Sequence, residues 1–294
     1  MNASWSMIVK NLRRKKPLDM ALFLLVCLAS VLTIGFMLFI IGYIVVKGAP
    51  YLTPSLFALK YTSENVSLFP PLVNTVTMTL LSLLIAVPFG IFTAVYLVEY
   101  AKRDNKIVGV IRITTETLAG IPSIIYGLFG FLFFVGYLKW GYSLLAGSFT
   151  LAIMILPLVM RTSEEALKSV PDAFREGSFG LGAGRLRTLS KILLPYAMPG
   201  ILAGVILSIG RIVGETAALI FTAGTLARVP TGLALNKEQF FLFQSTRTLS
   251  VHMYALSSEG FHINEAYATA LVLLLLVVGI NALSFFIAKK FARG

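Results

Sequence analysis

The sequence predicts an all-α membrane protein with six transmembrane helices, forming a single domain over residues 1–294. Three observations predict it. The chain is 57% hydrophobic and only 13% charged, whereas soluble domains carry about 25% charged residues. Uncharged runs of bilayer-spanning length recur along it. The stretches between them, about 40 residues or shorter, leave no room for a separate soluble domain.

In order, the spans are expected at about 20–46, 71–98, 110–138, 140–160, 195–224 and 265–288. The first follows the basic run "KNLRRKK". It is too long for the apolar region of a signal peptide, and no small-residue cleavage site follows, so it reads as a retained anchor. The single cysteine, Cys27, lies inside it, which excludes a disulfide framework. "FPP" (69–71) is expected to set an extended lead-in to the second span. Pro88, Pro122, Pro157 and Pro199 fall in spans or at their ends, where neighbouring helices or water must satisfy the freed backbone groups. "GILAG" (200–204) and "GRIVG" (210–214) are small-residue pairs that permit close helix approach. No internal repeat or low-complexity tract is present.

The net charge of +12 is a matter of topology. With the N-terminus placed inside, eighteen of the 25 Lys and Arg fall on inner segments and six on outer ones. Both termini are therefore expected in the cytoplasm, with the basic face against anionic lipid and no role in nucleic-acid binding. Residues 225–263 form the longest outer loop. Within it Leu249, Met253 and Leu256 recur at helical spacing, which predicts a short amphipathic helix. His252 and His262 lack ligand spacing, so no metal site is expected. No HExxH or Ser/His/Asp constellation occurs within spans, and no catalytic residue is assigned.

The inner segment 161–194 is polar and basic but patterned. Pro171 and Asp172 suit the first turn of a helix, and Gly182 and Gly184 suit its exit. "RLRTLSKILLP" then runs at helical spacing into the fifth span. Such an element can project from the bilayer and dock on a soluble partner.

Here the residues resemble a family. "EGSFGLGAGRLRTLSKILLP" is similar to the cytoplasmic coupling motif of bacterial ABC importer permeases, E-A-A-x3-G-x9-I-x-L-P. Glu176, Gly182, Ile192, Leu194 and Pro195 match its fixed positions, while Gly177 and Ser178 replace its two alanines. Glycine in a helix costs about 1 kcal/mol against alanine, so a looser coupling helix is expected. The resemblance implies the type I ABC importer permease fold and a separate ATPase chain that binds ATP and Mg2+, with no cofactor in this chain. In keeping with that, no G-x-x-x-x-G-K-[ST] loop is present.

"LAGIPSIIYGLFG" (118–130), "GRIVGETAALIFTAG" (210–224) and "ATALVLLLLVVGINAL" are similar to permeases of the high-affinity phosphate importer, and closer to its PstA-type than its PstC-type subunit. The likeness covers most of the chain from residue 70 onward. It implies a PstC-like sister permease, a PstB-like ATPase homodimer and a PstS-like extracytoplasmic phosphate-binding protein as partners. Sulfate or molybdate is the alternative substrate.

By resemblance Arg211 and Glu215 match charged residues implicated in phosphate passage, and Thr216 adjoins them. On physical grounds Arg211 lies about sixteen residues past Pro195, roughly 24 Å along a helix at 1.5 Å per residue. A guanidinium offers a planar fork to tetrahedral oxygens. Glu215, one turn on, is expected to neutralise it when no anion is present. A structural ion pair that locks the spans together is the competing reading, and both turn the pair away from lipid. Glu116, near the cytoplasmic start of the third span, is expected to be an interfacial or packing charge, with a place on the path as the lesser alternative. Moving a dianion inward against the membrane potential costs about 4.6 kcal/mol per 100 mV, which favours an energised pump over a channel.

Overall fold

The computed structural model describes residues 17–101, 106–230 and 240–291. The basic run 10–16, Lys102, Arg103, residues 231–239 of the outer loop and the last three residues lie outside the described residues. Among the described residues the chain forms eleven α-helices and no strand. Five stretches are long and apolar enough to cross a membrane, and one sharply bent pair supplies a sixth.

Helix α1 (Pro17–Gly48) is apolar all round and exposed along almost its whole length. It touches the bundle mainly through α11 (Ile263–Phe291), where Tyr43 packs edge-on against Tyr267. A helix apolar on every face suits lipid contact.

Helix α2 (Phe69–Val95) continues through a wide π-helical turn to Tyr100. Pro70 and Pro71 stand in its first turn, and Leu68 before it is already in the helical region. The extended lead-in expected from "FPP" is thus replaced by a helix start. Proline is tolerated there because its missing N–H has no intrahelical acceptor to lose.

The third span is not one helix. Helix α3 (Lys106–Ala119) and helix α4 (Ser123–Gly130), which continues as a π-helical turn to Tyr137, meet at 103°. Gly120 and Pro122 interrupt the ladder, and the Tyr126 hydroxyl donates to the Leu118 carbonyl across the bend at 2.7 Å.

Helix α5 (Leu144–Lys168) begins at Ser143, whose hydroxyl accepts from the Ala146 N–H. It runs eight residues beyond the expected end at 160 and takes up the start of the segment assigned to coupling. Arg161–Glu165 and Lys168–Glu164 ion pairs at i,i+4 carry the helix past its apolar part. Helix α5 is the axis of the bundle: α2 lies along one side and α8 (Leu194–Val213) along another. Met78, Leu151, Met154, Ile155 and Leu219 fill the centre. "GILAG" serves this packing, since a Cβ at Gly200 or Gly204 would run into Ala166 or Thr162 of α5. "GRIVG" does not, for among the described residues a Cβ at Gly210 has nothing within 4 Å.

The fifth span also breaks. Helix α8 stops at Gly214 and a separate helix, α9 (Ala217–Thr222), follows. Near the outer loop, α10 (Leu249–Glu259) starts at Thr248 and ends at Gly260 in the left-handed region. Leu249 and Leu256 are buried against α11 and the 52–68 segment, while Met253 is only half-buried.

Candidate functional site

The two broken spans come together at their breaks. Helix α4 lies on α9 so closely that a Cβ on Gly127 would come within 2.7 Å of the Ala218 Cα. Arg211 stands on the last turn of α8 beside this contact, partly exposed, with its charge acting on the Tyr126 phenol. Glu215 is buried, but it does not pair with Arg211. Its carboxylate Oε1 accepts the Ala218 N–H at 3.0 Å, and its backbone carbonyl accepts the Ser250 hydroxyl at 2.6 Å. Among the described residues Arg211 has no ion-pair partner. The expected neutralising pair, and with it the locking-pair reading, is corrected for one reason. Spacing i,i+4 places two residues together only on a continuous helix, and the chain leaves the helix at Gly214. Glu215 instead satisfies an orphan N–H at the start of α9. Thr216 precedes α9, partly exposed, with its hydroxyl 3.5 Å from the Gly214 carbonyl.

At the other end of the bundle, α6 (Asp172–Gly180) leaves α5 through Pro171. Gly182 adopts φ +80°, the Gly182 N–H bonds the Phe179 carbonyl, and the Ala183 N–H bonds the Ser178 carbonyl. That closure needs a residue at ease in the left-handed region, hence glycine. The chain then returns through α7 (Arg185–Thr188) and a π-helical turn into α8. Ile192 and Leu194 pack on a core of Leu167, Leu189, Leu193 and Ala197, and Pro195 stands in the first turn of α8.

Glu176 is exposed and has no partner among the described residues, and Phe174, Phe179 and Leu181 beside it are exposed too. The looseness expected of α6 meets a counterweight. Ser178 is buried, and its hydroxyl bonds the Thr188 hydroxyl at 2.8 Å, tying α6 to the returning helix. One of the two departures from the alanine pair therefore makes a contact that alanine would not.

Several residues escaped sequence reasoning. Glu164 is buried and receives both Arg112 of α3 at 2.8 Å and Lys168 at 2.6 Å. Its i,i+4 spacing to Lys168 was the available signal. Arg175 of α6 meets Glu99, 76 positions away, with no local signal at all. Glu116 is exposed, and its charge acts on Arg161 of α5 across the α3–α5 contact.

His252 is fully buried. Arg247 donates to its Nδ1 at 3.4 Å, which leaves Nε2–H to donate to the Val66 carbonyl at 3.2 Å. Burial, with Arg247 beside it, pushes its pKa down to about 4. An unfolded histidine binds its proton near pH 6.5, so the folded state resists protonation between there and about 4. The unfolding free energy of the detergent-purified chain should therefore fall as pH drops through this window, by on the order of 3 kcal/mol at full effect. His252→Gln, which keeps a donor for Val66, should lose that part of the slope. An unchanged slope would show that His252 does not supply it.

The matching region of this chain, residues 86–294, fits the profile of the binding-protein-dependent transport system inner membrane component. The chain belongs to this family. A phosphate transport system permease protein PstA from Pasteurella multocida is 36% identical over 253 residues, covering 84% of this chain and 86% of that one. The probable ABC transporter permease protein YqgI of Bacillus subtilis is 33% identical, over 74% and 76% of the two chains. A bacterial alginate ABC transporter, solved with an alginate-bound periplasmic protein, shares the fold at a TM-score of 0.67 and 17% identity, covering 96% of each chain. The MetNI methionine ABC transporter, in an inward-facing form, does so at 0.60 and 20% identity, over 76% of this chain and 94% of that one. The chain is thus a multi-pass inner-membrane permease with the type I ABC importer fold.

Proposed function

We propose that the chain is the PstA-type transmembrane subunit of an ATP-driven phosphate importer. It forms half of the translocation pathway beside a PstC-like sister subunit. A PstB-like ATPase homodimer, which binds the ATP and Mg2+, drives it, and a PstS-like protein delivers phosphate. The observation that carries the reading is Arg211: a cation with no ion-pair partner among the described residues, at the junction of two broken spans. A charge in that setting is retained where it serves an anion in transit. The identity of the chain to phosphate permeases over most of its length supports the choice of anion.

In this reading the guanidinium replaces part of the hydration that phosphate loses, through paired charged hydrogen bonds. Glu215 and Thr216 shape the break that presents it, and the Arg211 charge is neutralised by the passing anion. The ATPase docks on Glu176 and the turn at Gly182. Ile192, Leu194 and Pro195 pass its movement into α8. Purified with its partners in proteoliposomes, the complex should hydrolyse ATP faster when phosphate-loaded binding protein is added. Sulfate and molybdate should neither stimulate hydrolysis nor compete. Competition by either would move the reading to that oxyanion.

In this reading both termini lie in the cytoplasm, which the distribution of Lys and Arg supports. With Cys27 replaced by serine, a cysteine at Ser258 should react with an impermeant maleimide from outside, and one at Leu181 only after the inner face is opened. Leu181, 90% exposed, serves this test. The reverse pattern would invert the topology.

A further inference from the structure

We infer that Arg175, through Glu99, is the joint that carries movement of α6 into the inner ends of two spans. The inference rests on the reading that α6 receives the ATPase.

Arg175 engages every guanidinium donor it has. Nε and Nη2 donate to Glu99 Oε1 at 3.1 and 2.8 Å. Nη1 donates to the Val170 carbonyl at 2.8 Å and to Asp172 Oδ1 at 3.1 Å, and Nη2 also donates to the Leu167 carbonyl at 3.1 Å. Five bonds match the five N–H groups of arginine. They reach three elements at once. Glu99 ends α2, Leu167 and Val170 close α5, and Asp172 opens α6 itself. The two carbonyls lie at and just beyond the C-terminal end of α5, where a cation is favoured. Both partners of the central pair are largely shielded, with side chains 16% and 15% exposed. Little screening by water weakens it.

The joint is not packed solid. Beside it lies a cavity of about 430 Å³, lined by Glu99, Arg112, Lys168, Asp172 and Arg175 among others. Two of its lining residues, Arg112 of α3 and Lys168 of α5, both pair with Glu164 of α5, so that Arg112 holds α3 to α5. The inner ends of α2, α3 and α5 are thus linked across an open space by two carboxylates, and α6 hangs from one of them. A displacement of α6 drags α2 and α5 together while the cavity takes up the change of shape. Without the pair, α6 is held by its chain connections, by the Ser178–Thr188 bond and by Phe174 against Tyr196. These lead into α7 and α8, so α6 can then move without drawing α2 along. Lysine does not replace arginine here, because a point charge cannot hold Glu99, two carbonyls and Asp172 in one plane.

The test uses the whole complex in proteoliposomes, with radiolabelled inorganic phosphate and phosphate-loaded binding protein. The readout is ATP hydrolysed per phosphate imported. Glu99→Gln and Arg175→Lys should co-purify with the partner chains as the parent does. Each should raise that ratio about tenfold, the order of a typical coupling free energy between sites. A normal ratio in both variants overturns the proposal. So does failure of Glu99→Gln to assemble, which would make the pair an assembly contact. Glu176→Lys run alongside separates the two readings. If it too is normally coupled, the docking role of α6 fails. If it is uncoupled while the other two are normal, only the joint fails.

Discussion

Arg211→Gln is expected to abolish phosphate uptake while the complex still assembles. Glutamine keeps a polar side chain of similar length but removes the charge, so the anion loses its compensation in a low-dielectric passage. Removing one partner of a desolvated charge pair costs roughly 2–5 kcal/mol, so uptake should fall by about thirtyfold or more. Assembly should survive because Arg211 makes no ion pair among the described residues that its loss would break. Arg211→Lys keeps the charge without the planar fork and should retain partial activity at most. Glu215 behaves differently from a counter-ion. Glu215→Gln leaves an oxygen for the Ala218 N–H and should preserve both the break and most transport. Glu215→Ala loses the cap, worth about 1 kcal/mol, and should lower complex yield before it alters affinity. Radiolabelled phosphate uptake, normalised to complex yield, distinguishes these outcomes. Normal uptake by a well-assembled Arg211→Gln complex would end the assignment.

The contrast between Arg211 and Glu215 shows what a sequence withholds. Six apolar spans were legible because an uncharged run of spanning length has few other uses. Where those spans break was not. Gly120 with Pro122, and Gly214, were visible as residues, but in membrane helices such residues are often carried through without interruption. The i,i+4 spacing of Arg211 and Glu215 was therefore read on a continuous helix. One interrupted turn sent the carboxylate to the Ala218 N–H instead. Conversely, Gly182 was legible because a left-handed glycine after a helix is a local requirement. The ion pairs of residues 161–168 were written at helical spacing, yet their polarity suggested a connection rather than two more turns of α5. Arg175 and Glu99 had no local signal, since only the packing of α2 against α5 brings them together. Ser178 looked like a defect in a motif until the return of the chain placed Thr188 opposite it.

Glu176→Lys should leave the protein in the membrane and disconnect it from its energy source. The side chain is exposed on α6 and free of partners among the described residues, and lysine is as good a helix former as glutamate. The fold therefore has nothing to lose by the change. What changes is the surface that α6 offers. A carboxylate among the exposed Phe174, Phe179 and Leu181 is an acidic point in an apolar patch, suited to a groove with a basic or N–H donor rim. Reversing its sign sets like charges against each other, which costs several kcal/mol where partners fit closely. Phosphate uptake should fall about tenfold or more, the scale of a lost coupling between sites, while ATP hydrolysis by the partner persists without stimulation by loaded binding protein. Glu176→Gln, which removes the charge without reversing it, should fall between the two. The ordering matters more than either value. A docking contact predicts parent above glutamine above lysine in uptake, at constant membrane insertion. Uptake by the Glu176→Lys complex at the parent rate would mean that the ATPase grips the permease elsewhere.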